Sequence, residues 1–310
     1  MLVYPNYYPR FRCLAEDCRH SCCVGWEIDI DGEALMRYEA MRGTMGERLR
    51  RCIDRSGESP HFRLTPEGRC PLLNKTGLCD LILSEGEEAL CQICTDHPRY
   101  RSFFSTRTEI GVGLCCEAAA ELLLGQTEKV LLLSEGEPEP LTEEEEALLS
   151  LRQELMDILQ DRRVPVSERA EIMLARVGGH IPAWRGKDLV EILRPLERLD
   201  PAWDRELDKL SLGAGALPAE PSWEIPQEQL LVYLLYRHLP GALEDGDIAD
   251  RAAFAVLGWR TVAMLCAAHR EVTGAVSFAD MVEFARAYSA EIEYSDENTE
   301  ALLDYLYEVI

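Results

Sequence analysis

Cysteine is the residue type in this sequence whose number and spacing carry the most chemical information. Eleven of the twelve cysteines lie between residues 13 and 116. Ten of these form one block that begins CLAEDCRHSCC at Cys13, a second block from Cys70 to Cys94, and the pair Cys115 and Cys116, whereas Cys52 stands alone. Four thiolates satisfy one tetrahedral zinc ion or one iron–sulfur cluster, so the two blocks contain enough sulfur for two sites. The spacing therefore predicts metal binding.

The same cysteines allow other interpretations. A metal site could merely stabilise a loop-rich region, because the free energy of metal binding is also folding free energy. Cys91 and Cys94 form a CxxC pair that could act as a redox dithiol, although such pairs usually open a helix and this one comes late in a helical pattern. Thiolate spacing does not separate zinc from iron–sulfur.

Short elements are predicted around the cysteines. Apolar residues alternate with acids from Trp26 to Ile30, which predicts a short strand, and residues 33–55 have helical spacing. Cys91 and Cys94 are predicted to lie on one face or at the end of a helix that Pro98 terminates. The two thiols of the CxxC pair should therefore converge.

Helical periodicity dominates beyond Cys116. Residues 117–133 are one helix candidate, and the acidic, proline-containing segment 134–146 predicts a linker. Thr142 and Glu145 form a capping-box pattern at the next helix start. Further helices are predicted at roughly 143–162, 167–178, 186–198, 226–239, 248–272, 277–293 and 296–309.

The predicted fold class is mainly α. A cysteine-rich, metal-binding region of short strands and loops (residues 1–133) is expected to pack, after the linker 134–146, on an all-helical region (147–310). The longest apolar segment, 252–268, carries Arg260 in its middle, which favours a buried helix over a membrane span.

Charge and the N-terminal residues restrict partners and location. The formal net charge is -24, from 56 acidic and 32 basic residues, and this opposes binding to nucleic acid and to anionic membranes. The first residues lack a basic segment followed by an apolar run, so no secretory signal is predicted and a cytoplasmic location is expected. In that reducing compartment, clustered cysteines are more often metal ligands than disulfides.

The ordered pattern YP…FRCxxxxCxxxCCxGWxIxID, CPLL…GLCxL…GEExLCxICxxHPR and GLCCEAA resembles the flagellin lysine N-methylase family of bacteria. It is more distantly similar to small CxxCxxCC proteins that bind zinc or iron–sulfur. The match spans about residues 4–124. Two departures are visible: Cys116 stands where the family is expected to have proline, and Gly25 occupies the third position of a radical-type CxxxCxxC frame.

The resemblance implies transfer of a methyl group from S-adenosylmethionine to lysine side chains of flagellin or another protein, by a protein carrying an iron–sulfur cluster, with 4Fe-4S expected and zinc as the alternative. Carried over by position, the predicted metal ligands are Cys13, Cys18, Cys22, Cys23, Cys70, Cys79, Cys91, Cys94 and Cys115. His97 and Arg99 are predicted contacts of the cofactor. The rival function is a non-catalytic zinc or iron–sulfur module with a structural or partner-binding role.

Methylation of an amine needs an uncharged nitrogen lone pair in line with the methyl group. Acidic residues near the cysteines, namely Asp29, Asp31 and Asp96, are hypothesised to attract the substrate lysine. No catalytic residue and no oligomeric state follow from the sequence.

Overall fold

The computed structural model describes residues 1–25, 28–57, 59–180, 182–212 and 221–310. These residues form two compact units. Unit 1 comprises Met1–Phe11 and Arg101–Ile310, and unit 2 comprises Arg12–Tyr100. The predicted domain boundary at residue 133 falls inside unit 1, because residues 101–133 belong to that unit.

Helices account for most of the regular structure, so the predicted mainly α fold is confirmed. In chain order the strands are β1 (Leu2–Pro5), β2 (Ile28–Asp29), β3 (Ile53–Asp54), β4 (His61–Phe62), β5 (Arg99–Phe103), β6 (Thr108–Val112) and β7 (Leu132–Glu135). The α-helices are α1 (Gly32–Ala40), α2 (Gly43–Cys52), α3 (Asp80–Glu85), α4 (Gln92–Asp96), α5 (Glu117–Leu124), α6 (Glu143–Leu159), α7 (Val166–Arg176), α8 (Gly186–Leu193), α9 (Ala202–Leu212), α10 (Glu224–His238), α11 (Ala242–Asp245), α12 (Ile248–Thr273), α13 (Phe278–Tyr288) and α14 (Asp296–Val309).

Unit 2 is built from short elements around a small core. Strands β2, β4 and β3 form an antiparallel sheet in which Phe62 lies opposite both Ile28 and Ile53. These three side chains are buried together with Tyr38 of α1 and Leu49 of α2. A short stretch of strands cannot fold alone, so the two helices complete the core.

Two predictions for unit 2 are refined by the structure. The predicted strand is found at Ile28–Asp29, whereas Trp26 and Glu27 lie outside the described residues. The single helix predicted over 33–55 is instead two helices, because the chain is extended at Met41 and Arg42. Gly43 then starts α2 with a φ of 81°, a conformation that favours glycine.

Unit 1 contains a four-stranded sheet that the sequence did not predict, in the order β5, β6, β1, β7. Strand β1 is parallel to β6 and antiparallel to β7, with Leu2 opposite Thr108 and Glu135. The helix predicted over 117–133 was wrong beyond Leu124, where α5 ends, because the following apolar residues pair with β1 as β7. This strand extends into the predicted linker.

Helix α12 lies at the centre of unit 1 and packs against α9, α10, α13 and α14. Among the described residues it is the one helix long and apolar enough to cross a membrane, and 89% of its apolar window is buried within the protein. A helix that is apolar on all sides is typical of a protein core. The predicted buried helix is therefore confirmed.

The helices predicted after residue 142 are all present, and α9 and α11 are additional. The capping box at the start of α6 is also confirmed: the Thr142 hydroxyl accepts a hydrogen bond from the Glu145 backbone, and the Glu145 carboxylate accepts one from the Thr142 backbone.

Candidate functional site

Five of the nine predicted metal ligands converge in unit 2. They belong to or pack against its hydrophobic core, and they are Cys23, Cys70, Cys79, Cys91 and Cys94. Burial is the main reason that the pKa of Cys70 rises to about 12, and the nearby thiols of Cys23 and Cys79 add to it. The structure thus brings together cysteines that are up to 71 positions apart, from 23 to 94.

Backbone hydrogen bonds hold the first three of these cysteines. The Cys70 amide donates to the Cys23 carbonyl over 2.7 Å, and the neighbouring residues Val24 and Arg69 form a β-bridge. Cys79 is bridged to Leu73 and precedes the first residue of α3. Cysteines from two loops, one before β2 and one between β4 and α3, are therefore fixed by main-chain contacts that do not depend on a ligand.

The CxxC pair opens a helix, contrary to its predicted late position in one. Cys91 is the N-cap of the five-residue α4, and Cys94 lies within that helix. A hydrogen bond with Cys94 is the main reason that the pKa of Cys91 falls to about 7, and the same contact raises the pKa of Cys94. Cys91 is therefore the more easily ionised thiol of the pair.

The other predicted ligands lie outside this core, although the Cys22 side chain hydrogen-bonds the Cys23 thiol and thereby lowers the pKa of Cys23. Cys13 and Cys22 are exposed and Cys18 is half-buried, all in the segment that precedes Cys23, whereas Cys115 lies in unit 1. All twelve cysteines are among the described residues, and none of them forms a disulfide. Within the described part of the chain, no group of three or more His, Cys, Asp or Glu side chains has the arrangement needed to hold a metal ion. Metal binding by the nine cysteines therefore stays a prediction.

His97 and Arg99 follow the CxxC pair closely. Burial, followed by the charge of Arg99, lowers the pKa of His97 to about 4, so its imidazole is neutral at neutral pH. The Arg99 guanidinium donates to the Thr95 carbonyl over 3.2 Å. Their predicted role as cofactor contacts stays a prediction.

The acids that were expected to attract a lysine have local partners. The Asp31 carboxylate accepts hydrogen bonds from the Ala34 amide at 2.8 Å and from the Gln92 amide at 2.7 Å. Asp29 accepts from the Ser59 hydroxyl, and Asp96 accepts from the Gln92 side chain. Asp31 thus caps α1 and ties it to the start of α4, which is a structural role.

A second cluster of polar side chains lies in unit 1 and was not predicted. The Glu293 carboxylate accepts a hydrogen bond from the Tyr233 hydroxyl at 3.1 Å and lies 2.6 Å from His238 Nε2. Burial alone would raise the pKa of Glu293, but the charge of Arg237 and the His238 hydrogen bond outweigh it and hold that pKa well below its usual range. Glu293 is therefore a buried, ionised carboxylate.

This cluster clamps the turn that carries Cys115. The Leu114 amide donates to the Tyr233 hydroxyl over 3.2 Å, and Tyr294 bonds the Cys115 thiol. A side chain at Gly113 would collide with the Tyr294 hydroxyl and approach the Arg237 guanidinium to 3.0 Å. Glycine is thus required for this close approach. Ser289–Glu293 form a π-helical turn, a feature that is frequent at functional sites and has no signature in the sequence.

Comparison with known proteins links this region to lysine methylation. A family model described as the FliB lysine N-methylase C-terminal domain matches residues 216–309, which include α10 to α14. A lysine-N-methylase of Salmonella typhimurium is 25% identical over 159 residues, covering 47% of this chain and 40% of that protein. A lysine-N-methylase of Salmonella choleraesuis is 24% identical over the same length.

A further relative is the flagellar biosynthetic protein FliU of Salmonella muenchen, 22% identical over 134 residues, which cover 41% of this chain and 79% of that protein. No solved structure matches. The matched part spans well under half the length of the two lysine-N-methylases. Together these matches confirm the resemblance to the flagellin lysine N-methylase family that the cysteine pattern predicted.

Proposed function

We propose, from the confirmed resemblance to flagellin lysine N-methylases, that this protein methylates lysine side chains of a protein substrate. The match of helices α10 to α14 to a lysine N-methylase family model carries the proposal. S-adenosylmethionine is the proposed methyl donor. Flagellin is the proposed substrate class, since one relative is named for flagellar biosynthesis.

We further propose that the converging thiols of unit 2 hold an iron–sulfur cluster, with zinc as the alternative metal. The donor set suits such a group by its chemistry: two cysteines belong to one core, three more pack against it, and thiolates are the ligands that both iron–sulfur clusters and zinc prefer. Thiolates gathered in one place repel one another, and a bound cation removes that repulsion. The residues proposed to hold it are Cys23, Cys70, Cys79, Cys91 and Cys94, four of which suffice.

When bound, an iron–sulfur cluster supplies electron transfer or a Lewis-acidic iron. The residues of the chain perform the remaining tasks. Main-chain bonds at Cys70 and Cys79 hold their thiols in the core before any metal arrives. In unit 1, the ionised Glu293 and Arg237 fix the turn 113–116 through Tyr233, which keeps the Cys115 thiol in one place.

The deciding experiment measures metal and methyl transfer on the same preparation. We expect protein purified without oxygen to be brown, to contain iron and acid-labile sulfide, and to transfer the labelled methyl group of S-adenosylmethionine to flagellin lysines. The double variant Cys91→Ala/Cys94→Ala should lose both properties. Cys52→Ala is the matched control, because Cys52 packs against the same core and is not a proposed ligand.

The outcomes separate the two functions. Metal binding without transfer to any lysine-bearing substrate would reject the enzyme and leave the non-catalytic metal module. Transfer that survives in the double variant would show that catalysis does not need the thiol centre. The role of Arg99 is tested separately: Arg99→Ala is expected to weaken binding of S-adenosylmethionine, and unchanged binding would remove Arg99 from the site.

A further inference from the structure

Strand β7 is an edge strand of the sheet in unit 1. It pairs with β1 on one side, and among the described residues no strand pairs with its other side. The Asn6 amide donates to the Leu131 carbonyl over 2.8 Å, so this pair is hydrogen-bonded. Because hydrogen-bonded and non-hydrogen-bonded pairs alternate along antiparallel strands, the N–H and C=O groups of Leu132 and Ser134 point away from β1. The edge therefore offers main-chain donors and acceptors to a further strand.

Two leucines make this edge apolar. Leu131 is 60% exposed and Leu133 is 42% exposed, and residues two apart lie on the same face of a strand. Edge strands are usually protected by charged side chains, proline or a covering segment, because an open apolar edge pairs with other chains. The one charged residue of β7 is Glu135, whose carboxylate accepts a hydrogen bond from the Tyr4 hydroxyl. The two leucines thus form an apolar contact surface beside open main-chain groups.

An acidic run, residues 137–146, follows the strand after one glycine. No lysine or arginine lies between residues 131 and 146. The run is held in place, because the Thr106 hydroxyl donates to the Glu139 and Pro140 carbonyls over 3.2 and 3.1 Å and the Ser105 amide donates to the Glu145 carboxylate over 2.7 Å. Its exposed acids are Glu137, Glu139, Glu143, Glu144 and Glu146.

Charge decides which occupant fits this edge. A second copy of the chain would bring another acidic run to the interface, and like charges oppose such pairing. The net charge of -24 adds to this repulsion. An extended segment that carries lysines would instead meet opposite charge, and peptides are commonly recognised by adding a strand to a sheet edge. A basic extended segment therefore satisfies both the open main chain and the charge.

We propose that the open edge of β7 binds a lysine-bearing, extended segment of a protein substrate as an additional strand. The main chain at Leu132 and Ser134 hydrogen-bonds the segment, Leu131 and Leu133 contact its apolar side chains, and the acidic run attracts its lysines. The inference rests on the proposed lysine methylation for the nature of the segment. It concerns how the substrate is held and assigns no residue to methyl transfer.

Binding is measured by fluorescence anisotropy in the absence of a methyl donor. The probe is a labelled peptide of about ten residues that alternates lysine with valine, and the reference peptide has glutamate in place of lysine. We expect wild type to bind the lysine peptide and not the glutamate peptide. Added salt should weaken binding, because exposed charges are screened. No binding of the lysine peptide, or equal binding of both peptides, would overturn the proposal.

The variant Ser134→Pro tests the main chain of the edge. Proline removes the outward N–H, and it is tolerated in an edge strand where the N–H faces solvent. We expect binding about tenfold weaker than in wild type, whereas the control Ser134→Ala should bind normally. Thermal unfolding checks that Ser134→Pro keeps the fold. Equal affinity of the two variants would overturn the proposal.

A charge variant tests the acidic run without altering the strand. Replacing three of its exposed glutamates should weaken binding about tenfold and flatten the salt dependence. The control makes the same change in net charge at exposed positions of α14 and should bind as wild type does. Equal weakening in both would reveal general attraction to an acidic protein and overturn the proposal. The variants are Glu137→Gln/Glu139→Gln/Glu144→Gln and, as the control, Glu297→Gln/Glu300→Gln/Glu308→Gln.

Further outcomes separate this inference from its rival and from the proposed enzyme. Light scattering that shows a wild-type dimer and a monomeric Ser134→Pro would assign the edge to a second copy and overturn the proposal. Methyl transfer that is unchanged in both variants at low substrate concentration would reject the docking edge and leave the enzyme. Peptide binding with the expected losses, but without methyl transfer by wild type, would support the docking edge and reject the enzyme.

Discussion

Units 1 and 2 bury ionisable groups in different ways. In unit 1 a buried anion has a cation beside it: the Arg152 guanidinium donates to both oxygens of Glu109 at 2.6 and 2.7 Å, and each side chain is only 2% exposed. In unit 2 the buried ionisable groups include thiols: Cys70 and Cys91 belong to the core, and Cys23 and Cys94 pack against it. Unit 1 supplies its own countercharges. The thiols of unit 2 lie among groups of their own kind, so a cation has most to gain there.

The largest expected effect is the loss of unit 2 when its thiol pair is removed. If a metal centre supports unit 2, Cys91→Ala/Cys94→Ala should abolish metal binding and cost on the order of 10 kcal/mol, as for structural zinc sites. Hydrogen exchange should then show loss of amide protection in residues 12–100 and retained protection in unit 1. Unchanged protection in unit 2 would mean that its core is stable without the thiols, and the contrast between the units would disappear.

Unit 1 should be most sensitive at a buried charge. The Arg169 guanidinium, 2% exposed, lies 2.6 Å from the fully buried Glu228 carboxylate and 3.0 Å from Glu224. Replacing Arg169 with methionine leaves Glu228 with less compensation, which typically costs about 3–5 kcal/mol. Urea unfolding would measure this loss. Arg163→Met is the control, because that arginine is 88% exposed and its pairing with Asp161 should contribute less than about 1 kcal/mol.

A smaller effect is expected at the turn that carries Cys115. Gly113→Ala would place a methyl group against the Tyr294 hydroxyl, and overpacking of this kind typically costs about 1–3 kcal/mol. Thermal unfolding of the metal-free protein would measure it. Gly32→Ala is the matched control, since a methyl group there meets no atom within 4 Å. Equal stability of the two variants would show that the side chains packed against the turn of Cys115 can move apart at little cost in free energy.

The smallest expected effect is a change in pH dependence. The pKa of Glu293 is lower in the folded protein than its ordinary value of 4.5, so the unfolded chain binds the extra proton as the pH falls. Its contribution to stability is therefore present above about pH 4.5 and is lost on acidification. In Glu293→Gln, the free energy of unfolding should fall less steeply between pH 5 and 3, by about 1 kcal/mol per pH unit.

The measurement on Glu293→Gln needs two comparisons. Glu293 contacts Arg237, His238 and Tyr233, so its replacement also removes these interactions. The free energy of unfolding of Glu293→Gln must therefore be compared with that of wild type at every pH. Glu297→Gln, at an exposed position of α14, should keep the wild-type slope. An identical slope in Glu293→Gln would mean that this carboxylate titrates alike in the folded and unfolded chains.

Local signals predicted the helices well and the sheet of unit 1 poorly. The capping box at Thr142 and the apolar run of α12 depend on neighbours in the sequence, and both are found. Strand β7 was mistaken for helix because its apolar residues have no strand pattern of their own. They become a strand by pairing with β1, about 130 residues away, a contact that local periodicity does not contain.

The residues of the candidate site were likewise predicted only where the signal is local in the sequence. Cysteine spacing singled out the thiols that the structure places at the core of unit 2, and their role as metal ligands stays a prediction. Glu293 gave no signal, since a glutamate in a helical segment is ordinary until its burial and partners are known. The sequence also failed to predict that Cys91 lies at the start of its helix, because a helix of five residues is too short to show a hydrophobic period.

Unit 1 is built from two separate stretches of the chain, and this determines the order in which its strands are synthesised. Strand β1 leaves the ribosome first, but its partners β6 and β7 follow only after the whole of unit 2 has been synthesised. At ordinary translation rates the roughly 100 intervening residues take about 5–20 s. During that interval all the cysteines of residues 12–100 emerge while β1 still lacks its strand partners, so the chain of unit 2 is complete before unit 1 can close.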